Sequence, residues 1–166
     1  MREIKFRGKS VAINHKGEWV YGSGVIPIEL DCVHAGRVEI FKIVTYDELD
    51  GYSPLIDSDE VDPETVGQFT GLLDKNGVEI YEGDIVRNNW DNSFGEFIGG
   101  LWIVKYGEHS TDGFDYYSSD AFGFFYENIK PDKSYGNETY NIRSLPSNGK
   151  NDIEVVGNIF EIMEEK

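Results

Sequence analysis

Alternation of apolar and polar residues predicts that most of this chain is extended. The clearest pattern lies in residues 65–86, where strand-forming residues flank the turn sequence Asp74-Lys75-Asn76-Gly77. Asn and Gly are residue types that readily adopt the positive φ of a hairpin turn. Gly83 then interrupts the second extended stretch, as at a bulge or a barrel corner. Residues 65–86 therefore predict a tight hairpin followed by a sharp bend.

The N-terminal residues predict a similar hairpin. An extended stretch at residues 4–13 is followed by the turn composition Asn14-His15-Lys16-Gly17 and by a partner strand at 18–21. Residues 16–26 align without gaps on residues 76–86, with Gly and Tyr at matching positions. Two explanations are open, namely duplication of a hairpin and convergence of any hairpin that runs into a bent strand. A further strand is predicted at 38–44.

Acidic and turn-forming residues dominate residues 46–64, which show no sustained hydrophobic period. This composition predicts an acidic linker. Asp62-Pro63 is a suitable cap and start for one helical turn, because Pro at the first helical position lacks only a donor that is unsatisfied anyway. We therefore predict two regions: an N-terminal β-hairpin region with the linker, residues 1–60, and a second domain, residues 61–166.

The second domain is predicted to contain five strands, counted from residue 68. They are the hairpin pair and residues 97–106, 121–126 and 153–160, with a weaker strand at 140–143 and a loop at 107–120. Glycines at 83, 99, 100 and 157 mark bends. Five short strands with glycine corners are typical of a small closed barrel, so the predicted fold is mainly β. Either a short helical turn or a frayed end is expected at 161–166.

The central motif resembles the signature of the YopX family of phage and prophage proteins. The resemblance rests on residues 62–72, on Asp74-Lys75-Asn76-Gly77 and on Ile80-Tyr81-Glu82-Gly83-Asp84-Ile85-Val86. Residues 4–9 and 19–22 resemble the family's opening, and residues 155–161 resemble its closing strand. The resemblance implies a β-rich phage or prophage protein whose C-terminal part is an SH3-like barrel. It implies no activity for any residue.

Charge and cysteine content narrow the functional classes. The net charge of −16 opposes direct binding to nucleic acid, which needs a cationic face. A local basic patch is possible on one side of an extended strand at Lys5, Arg7 and Lys9. Cys32 is the single cysteine and cannot form an internal disulfide. No apolar stretch is long enough for a bilayer and the first residues lack a signal-peptide core, so we expect the bacterial host's cytoplasm.

The sequence offers no catalytic or metal-binding constellation. Cys32 and His34 lie close together, but His15 and His109 fall on separate predicted turns and no zinc spacing is present. No nucleophile elbow or phosphate-binding glycine loop occurs. We therefore predict no cofactor and no enzymatic activity. A hydrolase is the alternative with the least support.

Aromatic residues in predicted loops are the remaining candidates for a binding site. On an SH3-like barrel such residues commonly form a peptide-binding platform. The candidate protein-contact residues are Trp90, Phe114, Tyr116 and Tyr117. The other explanation for them is a lid that packs over one end of the barrel.

These observations lead to two functional hypotheses of different kinds. The first is a non-enzymatic interaction module that binds an unknown protein partner or a second copy of the chain, and neither nucleic acid nor membrane. The second is an acidic DNA mimic that inhibits a host nuclease or DNA-binding protein. Mimicry requires carboxylates ordered at phosphate-like spacing, whereas many of the acidic residues here fall in predicted loops.

Overall fold

The computed structural model describes residues 3–28, 37–44, 55–91, 97–111, 119–131, 142–144 and 153–164. These residues form twelve strands, one turn of 3-10 helix and one short α-helix. The strands are arranged in three antiparallel sheets. The mainly β fold predicted from the sequence is confirmed.

The chain divides into two compact units, of which the first is Met1–Phe69. In this unit β1 pairs with β2 and with the start of β6, and the order of the three-stranded sheet is β3-β4-β5. The predicted N-terminal hairpin is thereby confirmed. The strands are β1 (Phe6–Lys9), β2 (Trp19–Gly22), β3 (Gly24–Ile28), β4 (Arg37–Val44), β5 (Leu55–Val61) and β6 (Gly67–Leu73).

Backbone hydrogen bonds fix the end of β1 against β5 in the first unit. The N–H of Val11 donates to the carbonyl oxygen of Glu60 (3.1 Å), and the N–H of Asp62 donates to that of Lys9 (2.8 Å). Ile40 on β4 and Val61 on β5 are almost completely buried. The three-stranded sheet and the N-terminal hairpin therefore share one packed interior.

A capped turn follows β5. Asp62 caps the 3-10 turn Pro63–Thr65, and its Oδ1 accepts from the N–H of Glu64 (3.0 Å). Thr65 Oγ1 donates to the carbonyl oxygen of Asp62 (2.7 Å) and accepts from the N–H of Lys9 (2.8 Å). The predicted helical turn is confirmed, and Thr65 attaches it to β1.

The second unit is Thr70–Lys166. In it the end of β6 forms a hairpin with β7, and the remaining strands form a sheet in the order β11-β10-β9-β8-β12. The central hairpin is confirmed, and a helix lies close to the predicted C-terminal turn. The elements are β7 (Glu79–Tyr81), β8 (Asp84–Asp91), β9 (Phe97–Thr111), β10 (Ser119–Pro131), β11 (Ile142–Ser144), β12 (Ile153–Asn158) and α1 (Ile159–Glu164).

A hydrophobic core joins the β6–β7 hairpin to the five-stranded sheet. Trp102 and Val104 point to the same face of β9, and Tyr126 is the β10 register partner of Val104. These side chains are almost completely buried, as expected for alternate residues of a strand with one face on a core. The core consists of Ile80, Val86, Trp102, Val104, Tyr126 and Ile153, with Leu72, Phe124 and Val155 packed against it.

No closed barrel is formed by the part of the second unit that the structure describes. Its five-stranded sheet ends at β11 and β12, which are not paired with each other. The five strands also differ from the predicted set, because the sheet includes β8 and β11 and excludes the β6–β7 hairpin. The bend at Gly83 is the reason, since it ends β7 and starts β8 in a different sheet.

Part of the predicted acidic linker is a strand. Residues 55–61 form β5 and pair along their length with β4. Two of its acidic side chains face partners: Glu60 lies 3.2 Å from Nε of Arg37, and Asp59 lies 3.0 Å from Nε2 of His15. Cross-strand pairing here outweighs the low strand propensity of Asp and Glu. The predicted boundary between residues 60 and 61 stays a prediction.

Both ends of the predicted loop at residues 107–120 belong to strands. β9 continues to Thr111, and β10 already begins at Ser119. Across this extension Glu108 pairs with Phe122, and His109 pairs with Ala121. Backbone pairing between two long neighbouring strands overrides the loop-like composition of the segment.

The turns of the two segments aligned in the sequence resemble each other, because each is closed by a backbone hydrogen bond from its own glycine. Gly17 and Gly77 have φ of 85° and 84°. The N–H of Gly17 donates to the carbonyl oxygen of Ser10 (2.8 Å), and that of Gly77 donates to the carbonyl oxygen of Asp74 (3.0 Å). Each turn also contains a hydrogen bond from a backbone N–H to the side chain two residues before it. Ser10 Oγ accepts from the N–H of Ala12, and Asp74 Oδ1 accepts from the N–H of Asn76.

The likeness continues at the bend after each hairpin. The N–H of Ser23 donates to the carbonyl oxygen of Phe41 (2.8 Å), and the N–H of Gly83 donates to that of Val104 (2.9 Å). In both cases the strand after the bend pairs with the next strand of its own unit, β3 with β4 and β8 with β9. The aligned segments therefore share local backbone geometry as well as sequence.

Candidate partner-binding surface

The β9–β10 hairpin extends beyond the strand beside it. The ladder between β8 and β9 ends at the pair Ile85 and Ile103, whereas β9 and β10 stay paired as far as Thr111 and Ser119. Side chains on a strand alternate between the two faces, so residues two apart share a face. The extension therefore presents two different surfaces.

Three aromatic rings lie together on one of these surfaces. The Tyr106 ring is 5.2 Å from the Phe122 ring, edge to face at 82°, and 4.8 Å from the Phe124 ring, tilted at 58°. Glu108 lies directly across from Phe122 in the ladder and is exposed. We refer to Tyr106, Glu108, Phe122 and Phe124 as the aromatic face.

The aromatic face runs from the core into solvent. Phe124 packs against the core of the second unit, whereas Tyr106 is 46% exposed and Phe122 is 72% exposed. Edge-to-face and tilted pairs contribute about 0.5–1.5 kcal/mol beyond area burial. Phe122 therefore packs on Tyr106, which packs on Phe124 at the edge of the core, while most of the Phe122 side chain stays exposed to water.

The opposite surface of the hairpin has its polar groups paired. His109 is buried and stacks on Phe125 with ring centroids 4.6 Å apart, and its Nδ1 lies 3.2 Å from the carbonyl oxygen of Gly107. Lys105 forms an ion pair with Glu127. This surface is already occupied by contacts within the strand pair, so the aromatic face is the better candidate for binding.

Asp74 of the central motif is used in structural hydrogen bonds. Its Oδ1 accepts from the N–H groups of Asn76 (2.7 Å) and Val78 (2.9 Å), and its Oδ2 accepts from that of Val155 (3.1 Å). Burial by itself raises the pKa of the Asp74 carboxyl, but these backbone donors lower it, and the net pKa lies below the ordinary value of 3.8. Asp74 is held ionised as an acceptor.

Asp84 has a similar structural role. It is almost completely buried, and its Oδ2 accepts from the N–H of Tyr81 (2.8 Å) across the bend at Gly83. The amide of Asn158 lies 3.4 Å from Asp84 Oδ1, and Asn158 Oδ1 accepts from the N–H of Phe160 (2.9 Å). Asp84 therefore supports the bend and connects it to β12.

A perturbed pKa also occurs at Tyr126 in the core. Burial raises the pKa of its hydroxyl far above the ordinary value, so the phenol stays neutral at physiological pH. Within the described ranges, no group of three or more His, Cys, Asp or Glu side chains is placed to hold a metal ion.

The basic residues of β1 lie against aromatic rings. The Arg7 guanidinium is 4.5 Å from the centre of the Trp19 ring, and Lys9 Nζ is 5.7 Å from it. Lys5 Nζ lies 5.6 Å from the Phe69 ring. Arg7 and Lys9 are buried, so this predicted basic patch contributes to packing inside the first unit and does not present an open cationic surface.

Of the contact residues predicted from the sequence, Trp90 alone lies in a described element. It was expected in a loop but belongs to β8, where its Cα pairs with that of Ile98. Phe114, Tyr116 and Tyr117 lie outside the described residues. The role of these four residues in binding stays a prediction.

Tyr106 and Phe122 were not among the predicted contact residues, because the candidates were taken from predicted loops and these two residues fall in predicted strands. One signal could have identified Phe122. It alternates with Phe124 and Tyr126, so one face of β10 carries three aromatic residues in a row. A core contact for all three requires a covered strand, and Phe122 lies beyond the end of the β8 ladder.

Comparison with protein families gives a match to the family described as YopX protein, over residues 35–164. In the described part of the chain, no helix is long and apolar enough to cross a bilayer. No curated protein and no solved structure matches the chain. The family match contains the central hairpin and the closing strand that carried the resemblance, and it begins after the N-terminal hairpin. Because this match covers more than half of the sequence, the chain belongs to the YopX family.

Proposed function

We propose that this chain is a non-enzymatic protein-interaction module and that the aromatic face is its contact surface. The observation that supports the proposal is the 72% exposure of Phe122 on a regular strand. Full burial of a Phe side chain contributes about 1.5–3 kcal/mol. A partner that covers Phe122 recovers most of this free energy without reorganising the strand pair, because the Phe122 ring already packs on Tyr106, which packs in turn on Phe124.

A non-enzymatic role is supported by what the buried carboxylates do. Catalytic carboxylates need an open path to a substrate, whereas Asp74 and Asp84 accept backbone N–H groups. The phenol of Tyr126 faces the hydrophobic core. Surface contact, rather than acid–base chemistry, is the activity that this arrangement supports.

The proposal includes an SH3-like arrangement of the second unit. Two contacts support it, because the turn of the β6–β7 hairpin and the bend after β7 are each hydrogen-bonded to a strand of the five-stranded sheet. The N–H of Lys75 donates to the carbonyl oxygen of Ile153 on β12 (2.9 Å), and the N–H of Gly83 donates to that of Val104 on β9 (2.9 Å). An experimental structure with nuclear Overhauser contacts between β7 and β11 would support closure, and a solvated gap there would exclude it.

An acidic DNA mimic is less well supported. The net charge of −16 favours it, but several described carboxylates are buried or paired with cations. Glu60 pairs with Arg37, and Glu154 lies 2.6 Å from Nζ of Lys75. Paired carboxylates do not present the unbroken row of negative charge that phosphate mimicry needs.

The proposal also includes a location: we propose that the interaction module is a phage or prophage accessory protein that acts in the cytoplasm of a bacterial host.

The proposal is tested by quantitative affinity capture from bacterial lysate with the tagged full chain and two variants. Phe122→Ser removes the exposed ring. Ile129→Ser is the matched control, because Ile129 is also an exposed apolar residue of β10, 48% exposed, and lies outside the aromatic face. Thermal unfolding of both variants establishes that they fold.

The expected result is one or more proteins retained by the wild-type chain and by Ile129→Ser and depleted with Phe122→Ser. A direct titration of the purified partner should then weaken by at least about tenfold with Phe122→Ser, as is typical of a central aromatic contact. If all three chains retain the same proteins in equal amounts, the aromatic face is not the contact surface. If those proteins are nucleases or repressors, the result favours the acidic DNA mimic.

A further inference from the structure

We propose that the aromatic face binds a cationic segment of its partner, with an arginine side chain stacked on Phe122 and Tyr106 and paired with Glu108. This inference rests on the proposed function and adds the chemistry of the partner. Three observations support it: the rings, the carboxylate beside them and the charge of the chain.

The rings and the carboxylate form a complementary site for one guanidinium. Glu108 is the register partner of Phe122, so its carboxylate projects from the same face, and it is exposed. A guanidinium is planar and stacks on aromatic faces while its N–H groups reach a carboxylate. Phe122 and Tyr106 are both exposed, and no described side chain places a cation over either ring.

The chain already uses this pairing in its first unit. The Arg7 guanidinium lies 4.5 Å from the centre of the Trp19 ring, and Lys9 Nζ lies 5.7 Å from the same centre. The aromatic face presents the complementary half of such a pair, a ring cluster with an acidic neighbour. Only the cation has to come from another molecule.

The net charge determines which occupant is favoured. At −16, the chain attracts cationic segments at long range and repels polyanions and further copies of itself. A second copy could cover Phe122 only by bringing two strongly acidic chains together. A basic protein segment satisfies both the apolar and the charged parts of the surface.

Short synthetic peptides test this inference with the full chain. The probes are three fluorescein-labelled peptides in which glycine alternates with arginine, lysine or citrulline. Citrulline keeps the planar shape of arginine and removes its charge. Binding is followed by fluorescence anisotropy at low and high sodium chloride, and the binding site is located from amide shifts in two-dimensional NMR spectra.

The expected order is arginine, then lysine, then citrulline, with citrulline weaker than arginine by about tenfold or more. Phe122→Ser and Glu108→Gln should each weaken the arginine peptide by about fivefold, and added salt should weaken it further. The controls are Ile129→Ser for an exposed apolar residue and Asp57→Asn for an exposed carboxylate. Both should stay within about twofold of the wild type.

Two outcomes overturn the inference. Equal binding of the arginine peptide to Phe122→Ser, Glu108→Gln and the controls means that the net charge alone attracts it. If the citrulline peptide binds as tightly as the arginine peptide, the positive charge does not contribute to binding. If captured proteins depend on Phe122 but neither they nor the arginine peptide depend on Glu108, the interaction function stands and the cationic partner is excluded. If nothing depends on Phe122, both proposals fail.

Discussion

Asp74 and Val155 are joined by a hydrogen bond of 3.1 Å between the Val155 N–H and Asp74 Oδ2, although they are 81 residues apart. The same carboxylate closes its own turn by accepting from Asn76 and Val78. One side chain therefore fixes both the central hairpin and its contact with the C-terminal strand. These hydrogen bonds give the aspartate of the central motif a structural role.

The first prediction concerns this carboxylate. Asp74→Asn replaces one acceptor oxygen by an NH₂ donor, which must then face a backbone N–H. We expect the free energy of unfolding to fall by about 1–3 kcal/mol, because a buried donor loses its partner. Asp74→Ala, which leaves all three N–H groups without their acceptor, should cost at least as much. Urea unfolding followed by far-UV circular dichroism gives both values.

Asp57→Asn is the control for Asp74, since Asp57 is an exposed carboxylate on β5. Its effect should stay within about 0.5 kcal/mol. A cost for Asp74→Asn no larger than that of Asp57→Asn would show that the three hydrogen bonds contribute little to stability.

The second prediction is the pH dependence of the same group. The folded pKa of Asp74 lies below the unfolded value of 3.8, so the unfolded chain binds the proton more tightly. The stabilisation is therefore complete above the unfolded pKa and is lost as the pH falls through the folded pKa. The difference in unfolding free energy between wild type and Asp74→Asn should be constant near neutral pH and shrink below about pH 4. A difference that grows on acidification would contradict this assignment.

The hairpins could be predicted from the sequence because their turns depend on local chemistry. Gly17 and Gly77 occupy positive-φ positions, and the flanking residues alternate clearly. The capped turn after Asp62 was predictable for the same reason. Information that specifies a turn lies within four or five residues of it, so an isolated sequence is sufficient.

The arrangement of the strands in sheets was not predictable, because it depends on pairing between strands that are far apart in the sequence. β5 has an acidic sequence and is a strand only through its ladder with β4. The predicted set of strands differs from the observed one at Gly83, which was correctly identified as a bend but divides two sheets rather than turning one. A glycine pattern predicts where the chain bends, but it does not predict which sheets the strands before and after the bend join.

The candidate surface was missed for a related reason. Phe122 and Tyr106 belong to strands, and aromatic residues in strands are usually buried. Their exposure follows from the length of β9 and β10, which continue beyond β8. Strand ends are set by tertiary pairing, so the exposed part of a strand cannot be located from its composition.

The third prediction compares two glycines with the same backbone conformation. Gly77 and Gly83 both have φ of 84°. A Cβ at Gly77 meets nothing within 4 Å, whereas one at Gly83 lies 3.1 Å from Phe160 Cε2. Gly77→Ala should cost about 1–2 kcal/mol from left-handed strain alone, and Gly83→Ala should cost more by the contact. Unfolding free energies from urea titrations give the difference.

Phe160→Leu provides the matching test for Gly83. It shortens the side chain that the new Cβ meets, so Gly83→Ala should be less costly in the Phe160→Leu background than in the wild type. The cost of Gly77→Ala should be the same in both backgrounds. If both glycine substitutions respond equally to Phe160→Leu, the contact is not the source of the extra cost.

The last prediction concerns close approach inside the first unit. A Cβ on Gly22 would lie 2.5 Å from Ile40 Cγ2 and closer still to the carbonyl oxygen of Phe41. The oxygen belongs to the backbone of β4 and cannot turn aside as a side chain can. Gly22→Ala should therefore destabilise the unit by about 3 kcal/mol, the upper range for overpacking.

Hydrogen exchange shows where this loss occurs. The Ser23 N–H, which donates to the Phe41 carbonyl oxygen next to the clash, should exchange much faster in Gly22→Ala, because β2 must move away from β4. Gly157→Ala is the control, since a Cβ there meets nothing within 4 Å and the backbone is free of positive φ. It should leave stability within about 0.5 kcal/mol. Equal costs for Gly22→Ala and Gly157→Ala would mean that β2 and β4 are not packed as closely as the structure places them.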